Sequence, residues 1–220
     1  MDPLSALELR VLGVLLEKAV TTPDQYPMTV NALVSAANQK SSRDPVMTLS
    51  EDDVLSALQT LESKLLVSAD PNLRGRVEKY LQRFCKPPFG IYDFNDGQYA
   101  VLTVLMLRGP ATPGELRTRT DRLHKFSDNQ AVVDTLNSLR NWTPDALVVE
   151  LPREPNRRDN RWSQLFGEVT DQASLPDQPA KHQTPTTQQT DEAQDRMDAL
   201  EQRVAALEIA LETLQKSPGD

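Results

Sequence analysis

Apolar positions along the chain form a pattern that occurs twice in the same order. Val11-Leu12-Gly13-Val14-Leu15-Leu16 is echoed ninety residues later by Val101-Leu102-Thr103-Val104-Leu105-Met106. Thr29-x-x-x-Leu33 returns as Thr112-x-x-x-Leu116, and Val54-x-x-x-Leu58-x-x-Leu61 as Val132-x-x-x-Leu136-x-x-Leu139. Leu66-Val67 then returns as Leu147-Val148. Order is kept while connector lengths change, which is how two diverged copies of one small fold look.

Within each copy the spacing predicts three helices and then a β-hairpin. Leu4, Leu7, Val11, Val14 and Leu15 share one helical face, and Leu55, Leu58, Leu61 and Leu65 begin another. Ser5-x-x-Glu8, Ser50-x-x-Asp53 and Ser127-x-x-Gln130 have capping-box spacing. Thr112-Pro113 sets a cap before a proline at the first helical position. Strands are expected over 65–69 and 77–84 in the first copy, and over 147–151 and 161–166 in the second. Three helices closed by a hairpin describe the winged-helix variant of helix-turn-helix. The expected fold is therefore mostly α with small β-hairpins: two tandem winged-helix domains, 1–86 and 92–168, joined at Lys86-Pro87-Pro88-Phe89-Gly90.

Two further segments follow. Residues 169–190 are rich in Gln, Thr, Pro and Asp and predict a disordered linker. Over 191–216 a heptad series appears: Met197, Val204 and Leu211 at a, with Leu200, Leu207 and Leu214 at d. Arg196 and Arg203 then fall at g and Glu201 and Glu208 at e, the arrangement of a parallel two-stranded coiled coil. A homodimer through this helix is expected.

Charge changes the picture only in part. The chain carries a formal charge of −8, but residues 171–220 hold 10 acids and 4 bases, leaving 22 acids and 20 bases before them. A nearly neutral body neither demands nor excludes a nucleic-acid partner. A single cysteine, Cys85, precludes an intramolecular disulfide and fits a reducing compartment. No signal peptide or membrane-length apolar run is present, so a cytoplasmic protein without membrane association is expected.

Catalytic chemistry finds no footing. The histidines, His124 and His182, are far apart in sequence, and no Cys/His set has zinc-ligand spacing. Gly-rich phosphate loops and nucleophile elbows are absent from the sequence. Glu51-Asp52-Asp53 reads as first-turn acids complementing a helix dipole. No enzyme, metal or cofactor is expected.

Binding chemistry is better represented. In a winged helix the third helix enters the major groove by its N-terminus. In the first copy that place is acidic, which phosphates would repel. In the second it holds Asn129 and Gln130, side chains able to pair with adenine, behind Arg117, Arg119, Arg122 and Lys125. The wings are basic: Arg74, Arg76 and Lys79 in the first, Arg153, Arg157, Arg158 and Arg161 in the second. Such arginines can reach phosphates, although charged ribbon edges also prevent aggregation. The connector holding Asn38, Gln39, Lys40, Arg43 and Asp44 is longer than a helix-turn-helix turn needs. It is either a self-satisfied loop, with Arg43 and Asp44 engaging backbone or each other, or a partner-recognition surface.

Three long strings carry a resemblance: Thr21 to Pro27, Asn38 to Met47, and Arg108 to Arg119, closed by Leu151-Pro152-Arg153-Glu154-Pro155. With them the chain resembles the YceH-like bacterial family of tandem winged-helix proteins over roughly residues 4–167. The resemblance implies fold and cytoplasmic location and supplies no active site. The leading expectation is a regulatory or accessory factor that binds double-stranded DNA. The alternative is a protein–protein adaptor using the same domains as docking surfaces.

Overall fold

The computed structural model describes residues 2–70, 77–85, 90–154 and 159–167. Arg74, Arg76, Arg157 and Arg158, most of the 86–90 junction, the 169–190 linker and the 191–216 heptad helix lie outside them. The described chain is helical with small antiparallel sheets.

Helix α1, Ala6–Thr21, starts in the expected capping box: Glu8 N–H donates to Ser5 Oγ, and Ser5 N–H to Glu8 Oε2. A two-residue strand β1, Met28–Thr29, runs straight into α2, Val30–Ala37, with Thr29 as its cap. Helix α3, Glu51–Ser63, opens with the Ser50–Asp53 box. Strands β2, Val67–Ala69, and β3, Lys79–Gln82, form the hairpin. In the sheet β3 lies between β1 and β2, with Met28 opposite Tyr80 and Val67 opposite Gln82.

The second half repeats the series with α4, Asp96–Arg108, α5, Pro113–Arg119, and α6, Asn129–Arg140. Its hairpin is β4, Val148–Glu150, with β5, Trp162–Gln164. The repetition reaches single hydrogen bonds. Leu66 N–H donates to Leu61 O and Leu147 N–H to Leu139 O; Arg83 N–H donates to Leu66 O and Leu165 N–H to Leu147 O. Where β1 meets Tyr80 in the first half, Ala111 bridges Trp162 in the second.

Three details differ from the sequence reading. The strands are shorter than expected, and β2 starts late because Leu65 is not extended: its φ is +58°, and it closes α3. Leu66 N–H donates to Leu61 O while Leu65 N–H donates to Glu62 O, the paired bonds of a Schellman motif with leucine where glycine is usual. Helix α6 begins one residue later than the Ser127 box implies. Asp128 is its cap, accepting from Ala131 N–H, and a carboxylate at a helix N-terminus also gains from the dipole. Finally, α1 and α4 are not one-sided. Every residue from Glu8 to Leu16, and from Gly97 to Leu107, is buried.

That all-round burial follows from α1 and α4 packing on each other as well as on their own halves. The helices approach closely at Gly13, where an added Cβ would lie 2.9 Å from Leu107 Cδ2. Beside the crossing, the buried Tyr99 hydroxyl donates to Leu16 O at 2.6 Å. The chain ends are exchanged between halves: Leu4 N–H donates to Phe166 O, and Tyr92 N–H to Phe84 O. Phe84 and Phe166, the equivalent residues closing the two hairpins, meet edge-on at 5.1 Å between ring centroids.

Two outcomes follow. Leu65→Gly removes the strain of a side chain at positive φ and an exposed apolar group, so urea denaturation should show a gain of about 1 kcal/mol. Gly13→Val overpacks the α1–α4 crossing and should cost about 1–3 kcal/mol in the same assay.

Candidate functional site

The connector after α2 is built around two buried arginines. Helix α2 ends with carbonyls that no helical N–H can reach. Arg43 Nε donates to Ala36 O at 3.1 Å, and Arg10 Nη1 to Ala37 O at 3.1 Å. Arg10 Nη2 continues to Pro45 O at 2.6 Å, so one guanidinium ties the helix end to the far side of the loop. Burial lowers the Arg10 pKa, nearby Arg43 lowers it further, and Asp44 partly offsets both.

The Arg43 side chain is wholly buried. Its Nη1 and Nη2 donate to the two Glu17 carboxylate oxygens at 3.2 and 2.6 Å, a bidentate pair reaching back to α1. Gln39 Oε1 accepts from Nη2 as well. Asn38 exchanges two hydrogen bonds with Leu49, and Asp44 N–H donates to Leu107 O across to the second half. Of the five loop residues singled out in the sequence, Asn38, Gln39 and Arg43 are thus engaged within the fold, and Lys40 and Asp44 stand at the surface. This geometry is that of the self-satisfied loop, with Glu17 rather than Asp44 as the partner of Arg43.

The candidate nucleic-acid residues divide by environment. At the start of α6, Asn129 and Gln130 are exposed, and Gln130 Nε2 donates to Asp134 Oδ1 at 2.9 Å. Arg117 is exposed beside them, its Nη2 donating to Ser127 O at 3.1 Å. Asp128 has its carboxyl held below the usual range, chiefly by the Ala131 N–H bond, with Arg117 among the lesser causes. Arg119 leaves this group: it is half-buried and pairs with Glu115 at 3.1 Å on the same helix. Arg153 is exposed, while Arg161 is half-buried and paired with Glu154. Lys79 is half-buried on β3 opposite Thr29. On the first half the exposed surface of α3 presents Glu51, Asp52, Asp53, Ser56, Gln59 and Ser63, with no cation among them.

Sequence reasoning passed over Arg10, Glu17 and Arg108. Arg10 did carry a signal, because a charge inside Leu9-Arg10-Val11-Leu12 must be buried with acceptors or turned outward. Arg108 ends α4. Among the described residues no group of three or more His, Cys, Asp and Glu could hold a metal, and no helix is long and apolar enough to cross a membrane.

Arg43→Ala leaves the half-buried Glu17 without its bidentate partner and strips the α2 carbonyl of its donor, and should cost about 3 kcal/mol in denaturant titration. Lys40→Ala in the same loop should stay within about 0.5 kcal/mol.

Comparison with known proteins identifies the family of the chain. The family model described as "Protein of unknown function, DUF480" matches residues 4–157. A UPF0502 protein of Shewanella woodyi is 43% identical over 217 residues, covering 99% of this chain and 98% of that protein. Another from Shewanella amazonensis is 48% identical over 213 residues, covering 96% and 97%. A third, from Enterobacter sp. (strain 638), is 44% identical over 218 residues, covering 99% and 98%. The chain belongs to the DUF480/UPF0502 family of bacterial proteins.

Proposed function

We propose that the chain is a regulatory or accessory protein of two winged-helix halves that binds duplex DNA through the second half, and is not an enzyme. The observation that carries this reading is the contrast between the two third helices. Helix α3 presents acids at its N-terminus. Helix α6 presents Asn129 and Gln130 to solvent, with Arg117 alongside. Side-chain amides at the start of a helix suit adenine edges in the major groove, and flanking cations suit phosphates. Arg117, Lys125 and Arg153 are exposed and are the described residues assigned to the backbone. Arg157 and Arg158 extend that assignment along the wing in sequence. The 191–216 heptads would pair two chains and present two such surfaces, as a symmetric site requires.

The acidic face of α3 supports a second reading, in which the first half docks a basic protein partner. The two readings are compatible, because they use different halves.

Neutralising about three phosphates gives a slope near −2.7 in log K against log salt, so affinity for duplex DNA should fall about 40-fold between 50 and 200 mM. In fluorescence anisotropy, replacing Arg117 and Lys125 with glutamine should flatten the slope by about 2. Salt-independent binding, or a slope indifferent to these substitutions, would remove the DNA reading.

A further inference from the structure

A second concentration of arginine lies away from α6, where both halves contribute to one small cleft. Glu17 and Thr21 come from the end of α1, and Ser42 from the buried-arginine loop. Arg108 comes from the end of α4, with Arg119 and Arg122 from the end of α5 and the turn after it. The cleft measures about 30 Å³. A water needs roughly 10–15 Å³ of such space, so a group of a few oxygens fits and a nucleobase does not.

The nearby acids are Glu17, Glu115 and Asp44, and the first two are already paired with arginines. Three arginines line the cleft, and the Arg108 pKa is lowered by burial, then by Arg119 and least by Arg43, while Asp44 and Glu115 raise it. Both Glu17 oxygens are held by Arg43. Glu115 gives one oxygen to Arg119 and the other to the Thr112 cap. The Arg108 Nε is buried and has no acceptor among the described residues. A buried N–H on a cation without an acceptor costs free energy that a bound oxyanion would recover. Helix dipoles account for arginines at the last residues of α4 and α5. They do not account for Arg122 beyond the helix.

We propose that this cleft binds a small oxyanion, specifically a phosphate group, bridging Arg108 of α4 and Arg119 and Arg122 beyond it. Guanidinium forks match phosphate oxygens bidentately, and three of them supply the charge a dianion requires. The ligand would join α4 and α5 to the loop that Arg43 anchors, and so tighten the junction of the halves. This site is separate from the proposed DNA surface, since Arg117, Lys125 and Arg153 do not line it.

Isothermal titration calorimetry of the full chain, with ionic strength held constant by chloride, tests the proposal. Inorganic phosphate and glycerol phosphate serve as probes. Saturable binding near one equivalent per chain is expected with at least one of them. The preferred probe tells a free ion from an esterified phosphate group. Arg122→Gln, at an exposed position, should weaken binding at least ~10-fold while leaving the circular dichroism unchanged, and Arg108→Gln should weaken it further. Arg117→Gln should leave phosphate binding intact while reducing DNA binding, which keeps the two proposals separable. Heats no larger than those of chloride, or an affinity indifferent to Arg122→Gln, would overturn it.

Discussion

The crossing of α1 and α4 is the constraint on which the rest of the structure depends. These helices are the two copies of the repeated apolar run, and each is buried on every side. A helix apolar all round must find partners in every direction. Each finds its own α-helices on one side and its counterpart on the other, and Gly13 permits the close approach by having no Cβ to meet Leu107. The exchange of chain ends reinforces the crossing: the segment before α1 bonds to the end of the second hairpin, and the segment before α4 to the end of the first. This reciprocity is what a two-fold related pair produces, here within one chain.

Once that crossing is set, the loop after α2 has to be closed over it. Its backbone runs between α1 and the end of α4, where unpaired carbonyls and N–H groups would be costly. Arg10 and Arg43 supply donors to the α2 carbonyls, and Asp44 N–H reaches Leu107 O. Both arginines are themselves tolerable in the interior only because of those acceptors and, for Arg43, the Glu17 carboxylate. The length of the connector is thus a consequence of packing between halves. A short turn could not carry Arg43 to Glu17 while also leading Asp44 to α4.

What could be read from the sequence was what is local. Capping boxes at Ser5 and Ser50 and the cap at Thr112 are settled within three residues and appear as expected. The Asn95–Gln98 box has the same spacing and was equally legible, though it was not singled out. Where two neighbours compete, as Ser127 and Asp128 do, the spacing alone does not choose, and the carboxylate takes the cap. Strand β1 was hidden because two residues carry no alternation; only the pairing of Met28 with Tyr80 defines it. Arg43 was read as a loop residue, and loops are usually exposed. Its burial depends on Glu17, 26 residues earlier and on another element, so no local pattern reports it. Arg119 shows the same limit: its pairing with Glu115 was within reach of i, i+4 reasoning, but the direction that carries it away from Arg117 was not.

Divergence of the two halves is therefore partly a consequence of their union. In the first half the loop arginine, Arg43, turns inward to α1 and the end of α2, and the exposed end of α3 is left acidic. In the second half, Arg117 on α5 and Lys125 in the connector between α5 and α6, residues 120–128, stand in solvent. Arg119 and Arg122 of the same half face the junction instead, beside Arg108. Residues close together on α5 and the turn after it thus serve different surfaces, one outward at α6 and one inward at the seam. A single chain that joins two copies of a fold through equivalent helices has to spend one copy's loop on the joint. The remaining copy keeps its polar helix start exposed, and that asymmetry favours the second half for the proposed DNA surface and the seam for the proposed phosphate.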